Sequence, residues 1–119
     1  MDNHIKTGLE LISGLDAESL TALEIRDILS LLVSKNFDVI DAILNEAVRQ
    51  GLVSRCNKTY TLNREVCSLK YDRPVIRIVD ERGKCVLCGK ALTKCCYILF
   101  TSRTYGPFGV GCVKKIHLS

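Results

Sequence analysis

The sequence predicts an α+β fold: a helical domain over residues 1–66, then a small β-rich module over residues 67–119 that ends in a short helix. Three observations predict it. Apolar residues in the first half recur at three- and four-residue spacing, the mark of helices with one buried face. After Pro74 the pattern changes to strand-like alternation. Six of the seven cysteines lie beyond position 60. A length of 119 residues and a mass of 13.3 kDa allow one or two small domains. The composition, 47% hydrophobic and 25% charged, is that of a folded chain. Charge divides the chain too. Residues 1–50 hold 4 Lys/Arg against 9 Asp/Glu, a net of −5, whereas residues 51–119 hold 13 against 4, a net of +9.

The elements follow in order. Ile5, Leu9, Ile12 and Leu15 form one apolar stripe, which Gly14 and Asp16 interrupt. Thr21 and Glu24 have capping-box spacing and open a second helix, continued by Ile25, Ile28, Leu29 and Leu32. Asn36 suits the N-cap of a third helix with Val39, Ile40, Ile43, Leu44 and Ala47 on its buried face. Gly51 suits the left-handed stop after it. Residues 51–62 then read as two short strands around an Asn57-Lys58 turn, and residues 63–73 as a polar connector.

Three helices followed by a hairpin is the order of a winged helix-turn-helix. From Leu20 to Leu62 the chain resembles that superfamily, in "ALEIRDILS" as second helix, "FDVIDAILNEAVRQGLVSR" as third helix entering the wing, and "KTYTL" as returning strand. The resemblance implies either a DNA reader or a protein-docking module. The charges favour docking. The third helix carries Asp38, Asp41 and Glu46 against Arg49, with Asn45 and Gln50, and three acids on that helix repel phosphate. Arg55 and Lys58 on the wing remain suited to backbone contacts.

In the second half, Pro74 opens the strand Val75–Val79, and residues 80–83 form a turn. Cys85-Val86-Leu87-Cys88-Gly89 then has the form of a metal knuckle. Two thiolates three positions apart hold one ion, while Gly89 lets the chain turn so that amides donate to sulfur. Cys112 falls at the entry to a short C-terminal helix. The fourth ligand is expected from Cys95 or Cys96, which as strand neighbours point to opposite faces, with His117 as the alternative. The knuckle, hairpin and helix-start ligand resemble zinc-ribbon and treble-clef modules, although a second CxxC is missing. Zn²⁺ is the expected ion, and an iron–sulfur cluster on the same thiolates is the alternative. Cys56 and Cys67 are expected as small buried hydrophobes, with a Cys56–Cys67 disulfide left open. An odd cysteine count and no basic, apolar leader within residues 1–10 favour a reducing, cytoplasmic setting, and no run is long enough to span a membrane.

Tyr105-Gly106-Pro107-Phe108-Gly109 reads as a tight loop that either wraps the metal site or exposes Tyr105 and Phe108 for stacking. Arg103, Lys114 and Lys115 flank it, and with Arg82 and Lys84 they make a basic surface suited to a DNA or RNA backbone. In domain order and length the chain is similar to the archaeal transcription initiation factor E beta subunit, which is related to an RNA polymerase III subunit. That similarity implies recruitment to RNA polymerase through a partner subunit; whether the chain forms a homodimer or a heterodimer is left open. The expected function is therefore a transcription-associated protein that docks a protein partner through its acidic helices and touches nucleic acid through its basic half. The alternatives are a sequence-specific repressor and a ribosome- or RNA-associated accessory protein. Catalysis is not expected. The two histidines, His4 and His117, lie near the termini, and a site with four protein ligands leaves no position for a substrate.

Overall fold

The computed structural model describes residues 3–101 and 103–118, and the chain divides into two compact units, Met1–Arg73 and Pro74–Ser119. The division falls at 73/74 rather than the expected 66/67, because residues 64–70 form a helix that packs on the first helix. The moved boundary tempers the charge contrast. The first unit holds 9 Lys/Arg and 11 Asp/Glu, a net of −2, and the second 8 and 2, a net of +6.

The first unit runs α1 (Asn3–Gly14), β1 (Ser19–Thr21), α2 (Ala22–Leu32), α3 (Phe37–Arg49), β2 (Val53–Cys56), β3 (Thr59–Leu62) and α4 (Arg64–Lys70). Both expected caps form. The Thr21 hydroxyl accepts from the Glu24 amide at 3.2 Å, and the Glu24 carboxylate accepts from the Thr21 amide at 3.1 Å. Asn36 accepts from the Asp38 amide at 2.9 Å. Gly51, at φ +77°, ends α3: its amide donates to Val48 and the Leu52 amide to Ala47, which closes a Schellman turn.

Three features depart from the expected pattern. The hairpin gains a third strand, because Ser19–Thr21 pairs antiparallel with β3 (order β1-β3-β2). Residues 64–70 of the expected connector form α4, capped by Asn63 accepting from the Val66 amide. And α1 buries residues 8–14 all round instead of along one stripe, since α3 and α4 both pack on it. The Arg64 guanidinium binds α4 to the exit from α1, donating to the carbonyls of Leu15 and Ala17. The core holds Leu9, Leu11, Ile12, Leu15, Ile25, Leu29, Ile40, Ile43, Leu44 and Leu52, all essentially inaccessible. Each contributes about 1.5–3 kcal/mol on burial.

The second unit runs β4 (Val75–Val79), β5 (Gly83–Lys84), β6 (Ala91–Leu92), β7 (Cys95–Leu99), β8 (Thr104–Phe108) and α5 (Val110–Lys115). The central strand β7 pairs antiparallel with β4 and β8, and β5 pairs with β6. Ile98, Phe108, Val113, Ile116 and Leu118 fill a small core. The expected loop at 105–109 is instead mostly strand β8. Its Tyr105 and Phe108 are buried, so they are not presented for stacking. Glycine is required at position 106: φ is +136°, and a Cβ there meets the Cys96 carbonyl oxygen at 2.8 Å.

All seven cysteines are free thiols. Cys67 is buried as expected and donates to the Leu52 carbonyl at 3.5 Å, but Cys56 is exposed at the end of the edge strand β2. No helix among the described residues is long and apolar enough to cross a membrane.

Replacing Thr21 by Ala removes one half of the capping box and is expected to destabilise the first unit by about 1 kcal/mol. Thr21→Ser should retain most of that stability. Urea denaturation followed by far-UV circular dichroism measures both.

Candidate metal centre

The hairpin β5–β6 brings the chain out and back around residues 85–90, and the Cys85 amide closes that excursion by donating to the Lys90 carbonyl at 2.9 Å. Inside it the Gly89 amide donates to the Cys85 carbonyl at 2.8 Å, with Gly89 at φ +72°. The knuckle is tied to β8 by the Val86 amide, which donates to the Pro107 carbonyl at 3.0 Å. Because β8 leads through Gly109 into α5, Cys112 arrives in the first turn of that helix.

These elements bring Cys85, Cys88 and Cys112 together, with their sulfur atoms all within 4.8 Å of one another. Three sulfurs bound to one tetrahedral ion at Zn–S of about 2.3 Å lie about 3.8 Å apart, so small side-chain rotations suffice to close on an ion. The three cysteines can hold a metal ion. Cys85 is buried, Cys112 half-buried and Cys88 exposed, so the cluster opens to solvent at Cys88.

The electrostatics prepare the sulfurs for a cation. Burial works against a charged Cys85, but the backbone amides of Gly109, Cys88 and Leu87, together with the Cys112 thiol, donate to its sulfur and bring its pKa down to about 6. Cys112 is pushed up to about 11, first by donating to Cys85, then by burial and by Cys88. The pair thus shares one proton across the neutral range.

The expected fourth ligands lie elsewhere. Cys95 and Cys96 are both buried in β7, a central strand covered on its two faces, and neither joins the sulfur cluster. The Cys95 thiol donates to the Glu81 carbonyl at 3.4 Å, and burial, with the nearby Glu81 charge, pushes its pKa up. Both cysteines therefore act as small apolar side chains. His117 does not join the sulfur cluster either, and it lies past the end of α5. It occupies the left-handed position (φ 56°) of a Schellman turn in which its amide donates to Lys114 and the Leu118 amide to Val113.

The seven basic residues expected at a nucleic-acid surface are all exposed. Arg55 and Lys58 belong to the first unit, where the Arg55 guanidinium lies 5.7 Å from the centre of the Tyr60 ring. Arg82 and Lys84 lie at β5, Arg103 in the β7–β8 turn, and Lys114 and Lys115 at the end of α5. Arg103 sits 5.7 Å from the centre of the Tyr105 ring. On α3 the charges are largely paired internally: Arg49 with Glu46, whose pKa the guanidinium bond brings down to about 2, and Asp41 with Arg26 on α2.

Sequence reasoning missed a cleft beside the cluster. It has a volume of about 330 Å³, and its walls include Cys88, Lys90, Lys94, Gly109 and Cys112.

Metal uptake is expected to release the Cys112 proton, so apparent affinity rises with pH by about tenfold per unit for that proton below pH 11. Competition titrations with a chromophoric chelator at pH 6, 7 and 8 measure the slope. A flat profile contradicts the sharing of one proton between Cys85 and Cys112.

No curated protein and no solved structure matches the chain. A protein-family model does match, from residue 4 to residue 119 and so across both units. The chain belongs to the family described as a family of unknown function, DUF5830.

Proposed function

We propose that the protein is a transcription-associated binding protein whose second unit is held together by one structural Zn²⁺. The observation that carries the metal reading is the approach of the Cys85, Cys88 and Cys112 sulfurs to within 4.8 Å. That spacing favours a single ion over an iron–sulfur cluster, which spreads its thiolates over several irons. A unit of this size has too little core to be stable alone, and metal binding supplies the folding free energy.

For the first unit we propose a winged helix that docks a protein. The order helix, strand, helix, helix, strand, strand supports the winged-helix reading. The pairing of Arg49 with Glu46 supports docking over groove insertion, because the one arginine of α3 is already engaged on its own helix. Phe37 and Val48, exposed on the same helix, suit a protein surface. The exposed lysines and arginines of the second unit suit a nucleic-acid backbone, and three thiolates with one Zn²⁺ lower its net charge from +6 to about +5.

Elemental analysis of the purified protein should find one zinc per chain and no iron. Cys88→Ser should abolish metal uptake and unfold residues 74–119 while amides of α1 to α4 stay protected in hydrogen exchange. A metal-free protein with both units folded overturns the reading. Duplex DNA binding should be weak, insensitive to sequence and steeply dependent on salt, and Arg49→Ala should leave it unchanged. A sequence-specific complex that Arg49→Ala abolishes supports a repressor instead.

A further inference from the structure

We propose that the ion held by Cys85, Cys88 and Cys112 has its fourth coordination position directed into the neighbouring cleft, where it takes a small anionic thiol from solution. The proposal rests on the metal reading given above. Three sulfurs define one face of a tetrahedron, and a tetrahedral ion needs a fourth donor on the opposite side. The chain offers none there among its described residues. Cys95 and Cys96 are enclosed in β7, and His117 does not join the sulfur cluster.

The spacing of the chain is informative. Gly109 stands three positions before Cys112, the same separation as Cys85 from Cys88. A second knuckle pair would place its first thiol at 109, and glycine leaves that position without a side chain. A Cβ built there points toward the Leu92 side chain, 3.4 Å from its Cδ2, and both residues line the cleft. The missing donor therefore coincides with a space of about 330 Å³ bounded by two of the three ligands. That volume is at the small end of ligand pockets, suited to a molecule of modest size rather than to a protein segment.

Charge and softness select the ligand. One divalent ion with three thiolates carries −1, and a fourth thiolate makes it −2. Lys90 and Lys94 stand on the cleft wall to offset that charge, although the Lys94 ammonium also lies 3.8 Å from Asp80. A sulfur-rich site on zinc or cobalt prefers another sulfur to a carboxylate. A ligand bearing both a thiol and a carboxylate matches the metal and the ammonium groups together. The step is a ligand exchange: the sulfur–metal bond forms as the bond from the ion to a solvent water breaks, the water and the thiol proton leave to solvent, and no electron changes hands.

Co²⁺-loaded full-length protein tests this, because its sulfur-to-cobalt absorption counts thiolates. Adding 3-mercaptopropionate should raise that absorption by about a third, as three Co–S bonds become four, and should saturate at one thiol per ion. Lys90→Ala should weaken the thiol several-fold, and by more than it weakens Co²⁺. A four-sulfur spectrum before any thiol is added overturns the proposal, as does a response to acetate or imidazole but not to the thiol. Spectral changes that follow protein concentration and vanish in Cys56→Ser assign the position to a second copy of the chain, and also overturn it. Failure to take up Co²⁺ at all overturns the metal reading itself, and this proposal with it.

Discussion

The amides of Leu87, Cys88 and Gly109 converge on the sulfur of Cys85, and the rest of the second unit is arranged around that convergence. Two of the donors come from the knuckle and the third from the junction of β8 with α5, so one sulfur measures whether both segments are in place. Gly89 supplies the left-handed turn that points the knuckle amides inward. The Val86 to Pro107 hydrogen bond holds the strand alongside, and α5 then starts where Cys112 completes the set. The core beneath is small, and Phe108, Ile98 and Val113 are its anchors. Such a unit has less margin than the first, with its larger apolar core.

The first unit is built by the opposite strategy. Its charged and polar groups sit at ends and junctions: Thr21 and Asn36 at helix starts, Arg64 at the exit from α1. Its interior is nearly all aliphatic, drawn from α1, α2, α3 and the sheet. The acidic side chains that set it apart in the sequence are partly neutralised within the fold by Arg26 and Arg49. The chain is thus one apolar-cored unit followed by one sulfur-centred unit, and a single family relationship spans both.

Much of this was legible in the residues. Capping chemistry is local, so Thr21, Glu24, Asn36 and Gly51 announced their roles. The Cys85–Cys88 spacing and the placement of Cys112 at a helix start identified the sulfur cluster. What was not legible depended on tertiary context. A three-residue strand, Ser19–Thr21, is too short to show alternation and exists because β3 has a free edge beside it. The helix α4 is short and is held by Arg64 and by packing on α1, not by periodicity. Cys95 and Cys96 were grouped with the ligands because spacing does not reveal that both faces of β7 are covered. Cys56 shows the converse: it closes an edge strand, β2, whose last three residues are all exposed.

The separation of Cys85 and Cys112 along the chain has a consequence for the unfolded state. An ion that joins Cys85 to Cys112 closes a loop of 28 residues, and on the chain-entropy view of cross-links such a closure removes freedom from the unfolded chain equal to about 3.5 kcal/mol. With an ion bound, the sulfur cluster would act as a reversible staple: it would do the topological work of a disulfide without oxidation, and a chelator rather than a reductant would undo it.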